Sequence, residues 1–289
     1  MKRGILLIAL FFILFSFNVS ATLIAHYPFN GGATDSTGYG HHGTLVGGMN
    51  CNAPGVDGTA CDFSGNEDYV EVVNGILDIG YTEFTVAGWI KQDINNIIDA
   101  RHIFRQGNMG DPDRGFLAQL YYDPERMFFY QSIDGDLQNT NTAYDFPHDD
   151  EWHHIAFSYE YDDLVSTTRV YLDGDLMNTR VEEGHGPPDY PDPTDSFYFG
   201  KKRNTDGYAG LMDEFRVYNN KLRDDQVEAL YWEYKDFSTD QIYILDNLDL
   251  TGGDIVGEWT HSSSSSGHYG SDYLHDGNTT GGGKSVKYQ

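Results

Sequence analysis

The side chains that could catalyse a reaction here are acids and histidines, and their spacing limits what they can do. Hydrolysis of a glycosidic bond needs two carboxyl groups held at a fixed separation across the bond. Glu67-Asp68-Tyr69-Val70-Glu71 and Asp149-Asp150-Glu151 are the densest candidates, the second of them in a turn ahead of a strand. His153-His154 suggests a base or a metal-ligand pair, but adjacent residues on a strand point to opposite faces and cannot share one ion. The sequence carries neither a Gly-x-Ser-x-Gly elbow nor a His-Glu-x-x-His helix. No catalytic residue is assigned, and the chain is not expected to be an enzyme.

Binding chemistry is better represented. Sugars are held by aromatic rings against their C–H faces and by planar polar groups on their hydroxyls. The stretch His102 to Tyr130 supplies both: Arg105, Gln106 and Asn108, then Gln119, Tyr121 and Tyr122, then Arg126, Phe128 and Tyr130. Alternation places Gln119 and Tyr121 on one face of their strand and Ala118 and Leu120 on the other. With Ala118 and Leu120 toward the core, Gln119 and Tyr121 line an exposed sheet. Gln119, Tyr121 and Arg105 are therefore the expected ligand contacts; the alternative is that these aromatics pack between sheets.

The elements that must position these residues are short strands. Leu23 to Phe29 alternates apolar and polar residues, and strands are expected at 59–63, 68–73, 83–91, 116–122, 126–131, 152–160, 167–173, 196–200 and 211–218. Asp123-Pro124-Glu125 is a turn between two of them, and Asp173-Gly174 signals a two-residue hairpin. One helix is expected from Asp224 to Tyr234, where Val227, Leu230, Tyr231 and Tyr234 make one apolar stripe and Asp224 and Asp225 occupy the first turn. This pattern is an all-β, antiparallel sandwich. With 39% hydrophobic and 15% aromatic residues the chain can bury a core, and its net charge of −27 makes nucleic acid and anionic membrane surfaces poor partners.

The N-terminus carries an address. Lys2 and Arg3 precede an almost purely apolar run, Ile5 to Phe17, and Val19-Ser20-Ala21 fits the small-residue cleavage rule. Residues 1–21 are expected to be a signal peptide, with an uncleaved anchor as the alternative, and no later stretch could span a bilayer. The protein is then secreted, extracellular or at the cell surface. In such a compartment Cys51 and Cys61, the two cysteines of the chain, are expected to form one disulfide across a turn-rich linker; two buried thiols are the alternative. A zinc site is not expected without a matched histidine pair.

Several stretches then converge. Tyr27-Pro28-Phe29-Asn30-Gly31-Gly32-Ala33-Thr34-Asp35-Ser36-Thr37-Gly38-Tyr39-Gly40-His41-His42-Gly43 closely resembles the opening of laminin-G-like, concanavalin A-like jellyroll domains. Phe84 to Ile90, Trp152 to Phe157, Val170 to Gly174 and Gly210 to Tyr218 resemble further segments of the family in the right order, and the likeness spans Thr22 to Tyr234. Arg223 departs from it, standing where the family usually has a Ser or Thr helix cap that can accept a backbone N–H. The resemblance implies a jellyroll over 22–234 and a structural calcium ion held by Asp35 and Asp213, with Asn30 and backbone carbonyls as supplements. Asp35 capping its own turn is the alternative. Jellyroll glucanases usually set their carboxyls as Glu-x-Asp-x-x-Glu, and neither acid cluster follows that pattern.

Residues 235–241 read as a linker. Ile242 to Asn247, Gly257 to Thr260, His268 to Asn278 and Lys284 to Tyr288 resemble the opening of the golvesin and xanthan-lyase type carbohydrate-binding domain, cut short at Gln289. A piece that small buries too little to be stable alone, so the sequence is expected to be a fragment of a longer protein. The expected function is a secreted, non-catalytic carbohydrate-binding (lectin-like) or adhesive module whose partner is a polysaccharide or glycan. A protein-binding adhesion module, or an accessory part of a polysaccharide-degrading enzyme with its catalytic domain beyond Gln289, are the alternatives.

Overall fold

The computed structural model describes residues 21–65, 67–77, 81–95, 100–107, 114–121, 126–133, 136–144, 146–184, 186–192, 194–201 and 207–235, with four short strands after them. In chain order the elements are β1 (Leu23–Tyr27), β2 (Thr44–Val46), β3 (Asn50–Pro54), β4 (Thr59–Ser64), β5 (Tyr69–Val72), β6 (Glu83–Gln92), β7 (Ala100–Gln106) and β8 (Phe116–Tyr121). Then follow β9 (Arg126–Ile133), β10 (Asp136–Tyr144), β11 (Trp152–Asp162), β12 (Val165–Leu172), β13 (Asp175–Glu183), β14 (Phe197–Phe199), β15 (Ala209–Tyr218) and α1 (Asp224–Tyr234). Two antiparallel sheets result. Sheet I runs β13-β12-β11-β6-β15-β4-β3 with β1 also on β15, and sheet II runs β10-β9-β8-β7-β14-β5-β2. The architecture is the expected all-β sandwich with one short helix. β2, β3, β7 and β10 were not expected from the sequence.

The core lies between the sheets and is aromatic. Phe157 of sheet I meets Phe104 of sheet II edge-on at 5.5 Å, and Phe215 meets Phe199 at 5.1 Å. β6 shows how local sequence serves this packing. Phe84, Val86 and Ile90 face the core, while Ala87 on the opposite face belongs to a second buried cluster with Ala156, Tyr171, Leu222 and Val227. Gly88 leaves room for the ring of Phe215, which any Cβ there would strike.

Helix α1 covers the outer face of sheet I. Val227 is fully buried there, worth about 2 kcal/mol for one such side chain, and Tyr231 stacks on Trp89 at 5.6 Å. Arg223 gives no side-chain cap, but Gln226 Oε1 accepts its backbone N–H at 3.1 Å and Asp225 receives its guanidinium at 2.9 Å. The helix thus starts where the sequence placed it despite the missing hydroxyl. Arg216 of β15 fixes the other end by donating to both carboxylate oxygens of Glu233. The β12–β13 hairpin turns on Asp173 and Gly174, with φ of 49° and 85°, the left-handed pair that such a two-residue turn requires.

Cys51 and Cys61 form the expected disulfide between β3 and β4. The chain divides into two units at Lys235/Asp236. In the second, β16 (Ile255–Val256) pairs with β19 (Ser285–Val286), and β17 (Thr260–Ser262) with β18 (Tyr273–His275). Residues 1–20, the turn 123–125 and the stretch 242–247 lie outside the described residues, as do Asn108 and Tyr122. Among the described residues no helix is long and apolar enough to cross a membrane.

Candidate functional site

The outer face of sheet II lies on the side of the sandwich away from α1, and antiparallel register assembles a cluster on it. Glu71 of β5 pairs with Tyr198 of β14, which pairs with Arg105 of β7, so the three point the same way in one cross-strand row. The Arg105 guanidinium lies 4.5 Å from the centroid of the Tyr198 ring. Lys201, just past β14, places its ammonium 3.9 Å from that ring and 4.4 Å from the ring of Tyr69. The two tyrosine rings meet edge-on at 5.9 Å. Glu71 Oε1 accepts the hydroxyls of Tyr198 and Ser196, both at 3.0 Å. Burial pushes the Tyr198 hydroxyl above its ordinary pKa, and burial together with the Arg105 charge lowers that of Lys201.

The same row continues through Leu117 of β8 to Tyr130 of β9, where a second aromatic group begins. Phe128 stacks with Tyr130 at 5.8 Å, Tyr121 meets Phe128 edge-on at 4.9 Å, and the Arg126 guanidinium stands 5.8 Å from the Phe128 ring. Ala118 and Leu120 do face the core, so the alternation read from the sequence holds. Tyr121 and Arg105 lie half-buried on the outer face.

Gln119 departs from expectation. It lies on the outer face but is 5% exposed, because His102 and Phe128 flank it in register. Its side chain is hydrogen-bonded to Tyr130, whose hydroxyl burial pushes up to about 12. Gln119 therefore positions Tyr130 and is not itself a contact surface. Gln106 points inward and accepts the backbone N–H groups of Ile76 and Leu77 at 3.1 Å. Tyr69, Glu71, Tyr198 and Lys201 were not singled out from sequence, although alternation about Phe197 and Phe199 would have turned Tyr198 outward.

The residues expected to hold calcium are occupied otherwise. Asp35 Oδ1 accepts from His26 N–H, Thr37 N–H and Thr37 Oγ1–H, and its Oδ2 from Gly40 and His41 N–H, at 2.8–3.2 Å. It caps its own glycine-rich turn, the alternative read from the sequence. Despite its burial these donors hold its carboxyl below the usual range. Asn30 and Asp213 converge elsewhere, on the β3–β4 turn. Asn30 Oδ1 accepts Thr59 N–H at 2.6 Å; Asp213 Oδ2 accepts Val56 and Asp57 N–H, and its Oδ1 that of Glu214. Burial pushes the Asp213 carboxyl up to about 7, against these N–H groups. Calcium needs six to eight oxygens whose lone pairs face it. Here the lone pairs face N–H and O–H donors, and no group of three or more His, Cys, Asp or Glu among the described residues gathers as metal ligands. As arranged, these residues do not fit calcium.

The candidate catalytic groups are scattered. His153 lies between Asp173 and Asp149, at 2.8 and 3.1 Å, while His154 is buried on the opposite face, 5.4 Å from Trp89. Burial disfavours the imidazolium of His153, but the hydrogen bonds to Asp173 and Asp149 outweigh it and raise its pKa; burial pushes His154 down to about 3. Asp68 accepts the backbone N–H groups of Gly48 and Ser64.

Residues 64–228 match the family described as the concanavalin A-like lectin/glucanases superfamily. No curated protein shows significant sequence similarity to the chain. Among solved structures, the chain is similar to domain 4 of AbnA, a GH43 extracellular arabinanase from Geobacillus stearothermophilus, in complex with arabinotriose, at 23% identity and a TM-score of 0.58, covering 73% of this chain and 98% of that one. It also resembles the receptor binding domain of botulinum neurotoxin C/D mosaic serotype, at 17% identity and a TM-score of 0.56, over 73% of this chain. The binding domain of botulinum neurotoxin DC in complex with SialylT matches at 13% identity and a TM-score of 0.56, over 75% of this chain. The chain spans 51% of each neurotoxin domain. The golvesin-type resemblance of 242–289 has no counterpart among these matches.

Proposed function

The chain belongs to the concanavalin A-like lectin/glucanase superfamily, and on that premise we propose that it is a non-catalytic glycan-binding module acting outside the cell, with the outer face of sheet II as its binding surface. A shared fold does not fix function, so the reading rests on the site. Its carrying observation is the band of half-buried rings on that face, Tyr69, Tyr198, Tyr121, Phe128 and Tyr130, interleaved with Arg105, Lys201 and Arg126. Rings offer flat apolar area to sugar C–H faces, and the interleaved cations offer donors to hydroxyls. The arabinotriose and SialylT complexes of the similar folds support the same reading.

A hydrolytic role is less well supported. Two-carboxyl chemistry needs a partner acid across the scissile bond, and on this face Glu71 is tied to Ser196 and Tyr198. Of the other acids put forward by the sequence, Asp68 holds backbone N–H groups, Asp149 holds His153 and Asp150 pairs with Lys91. The test is affinity electrophoresis of the intact chain through gels containing a panel of neutral and acidic polysaccharides. At least one should retard the protein, and Tyr198→Ala should reduce that retardation at unchanged melting temperature. Migration unaffected by every polysaccharide would overturn the reading.

A further inference from the structure

We propose that the outer face of sheet II binds a linear glycan stretch of about four residues or more, lying across the strands; this rests on the glycan-binding reading above and specifies the shape and size of its ligand. The rings of that face fall into two groups. Tyr69 and Tyr198 form one, with centroids 5.9 Å apart. Tyr121, Phe128 and Tyr130 form the other, with successive centroids 4.9 and 5.8 Å apart. Register fixes the interval between the groups. Tyr198 of β14 pairs with Arg105 of β7, Arg105 with Leu117 of β8, and Leu117 with Tyr130 of β9. Three strand spacings therefore separate the two tyrosines, about 14 Å. From β5, which carries Tyr69, the interval is one spacing more, about 19 Å.

The two groups also lie on one line. β5 and β9 are four antiparallel pairings apart, so they run in the same direction. Tyr69 stands two residues before Glu71, and Phe128 two before Tyr130, so both step off the common row toward the same side. The rings thus form a band running across the strands. A sugar residue with its linkage advances an extended chain by about one strand spacing. A trisaccharide then reaches one group, and a fourth or fifth residue reaches the second. The row tyrosines are already oriented: the Tyr198 hydroxyl donates to Glu71 Oε1 at 3.0 Å, and that of Tyr130 is hydrogen-bonded to Gln119. The second contact is made by a chain already bound at the first, so it costs no further translational freedom.

The experiment is isothermal titration calorimetry of the full chain against a series of chain lengths. The probes are β-1,4-xylo-, β-1,4-manno- and α-1,4-galacturono-oligosaccharides of two to six residues. The same sizes, cut by partial acid hydrolysis, are added for any other polysaccharide that retards the chain in gels. Affinity should change little from two to three residues and rise about tenfold between three and five. Tyr198→Ala or Tyr130→Ala alone should remove that rise, leaving five residues bound no better than three. Trp232→Ala, on helix α1, should keep it. Full affinity reached by a disaccharide or trisaccharide would overturn the proposal and leave the glycan reading standing. So would a rise kept by both tyrosine variants, each folded by circular dichroism, or a retarding polysaccharide none of whose oligomers binds. The wild-type series decides by itself if either variant fails to fold. No retardation by any polysaccharide and no binding of any oligomer would overturn both.

Discussion

Asp213 Oδ2 accepts the backbone N–H of Val56 at 2.8 Å, joining residues 157 apart in sequence. The contact sits where β15 changes neighbours. Up to Met212 it pairs with β4, and from Phe215 onward with β1. The change is made at an irregularity between Asp213 and Arg216, with Glu214 at a φ of 51°. From there Asp213 reaches across to the β3–β4 turn, which Asn30 holds from the other side. Gly55 and Gly58 let those two oxygens come close, since a Cβ at either would collide with them.

Replacing Asp213 with Ala strands the N–H groups of Val56, Asp57 and Glu214. The expected loss is about 3 kcal/mol, a few times the cost of one unmet buried donor, read as a lowered urea midpoint at unchanged slope. Chelator gives the companion measurement. With the oxygens of Asp35, Asn30 and Asp213 committed to N–H and O–H donors, excess EDTA should leave the melting temperature unchanged. A fall of several degrees, restored by added calcium, would mean that the cation displaces those donors and that the family's metal site is present after all.

The disulfide shares its hairpin with these contacts. Cys51 and Cys61 close a loop ten residues apart that Asp213 and Asn30 already grip. Its removal as the double Cys→Ser variant should therefore cost toward the lower end of the usual range, about 2 kcal/mol. A loss of 5 kcal/mol or more would show that the polar contacts do not hold the turn by themselves.

His153 makes stability pH-dependent in a defined direction. Its pKa is raised in the folded chain through Asp173 and Asp149, so the folded state holds a proton that the unfolded one releases near pH 6.5. That stabilisation is complete below about pH 6.5 and disappears as pH rises through the folded value. The wild type should lose stability relative to His153→Gln between pH 6 and pH 9, with no such loss below about pH 6. Asp213 titrates in both proteins and cancels from the difference. Parallel stability curves for the two would show that the His153 contacts carry no proton linkage.

Gln119 and Tyr121 separate positioning from contact. Gln119→Leu removes the hydrogen bond to Tyr130 but keeps the volume, and should cost about 1 kcal/mol of stability with a small change in glycan affinity. Tyr121→Ala should do the reverse, weakening retention of whichever polysaccharide binds while the melting temperature holds. Equal effects of both substitutions on retention would return Gln119 to the contact surface.

What could be read from the sequence follows from how far each signal reaches. β6, β11 and β15 declare themselves because their apolar residues recur on strand spacing and end in turn residues. β7 does not, because an irregularity between His102 and Phe104 breaks the alternation. β10, Asp136–Tyr144, is unbroken polar sequence from Gln138 to Thr142 and has no stripe to find. Half of the candidate site shows the same limit. Arg105, Tyr121 and Tyr130 lie close together in sequence, but Glu71 meets Tyr198 from 127 residues away. Alternation can say which face a residue takes; it cannot say which strand will lie beside it.

Pairing of the opening and closing strands has a mechanical consequence. Leu23 lies opposite Tyr218, and Thr22 N–H reaches Asn219 Oδ1 at 3.1 Å. The start of β1 and the end of β15 therefore sit at the same end of one antiparallel ladder. Tension applied through Thr22 and Lys235 first strips away α1, whose latch is the Arg216–Glu233 pair. It then opens the β1–β15 ladder rung by rung from its loaded end, as a zipper opens, without having to shear every rung together. An optical-trap pull on those two points should yield at low force in two steps, and Glu233→Gln should lower the force of the first. A single high-force rupture would mean that the ends are locked in shear by contacts outside this ladder.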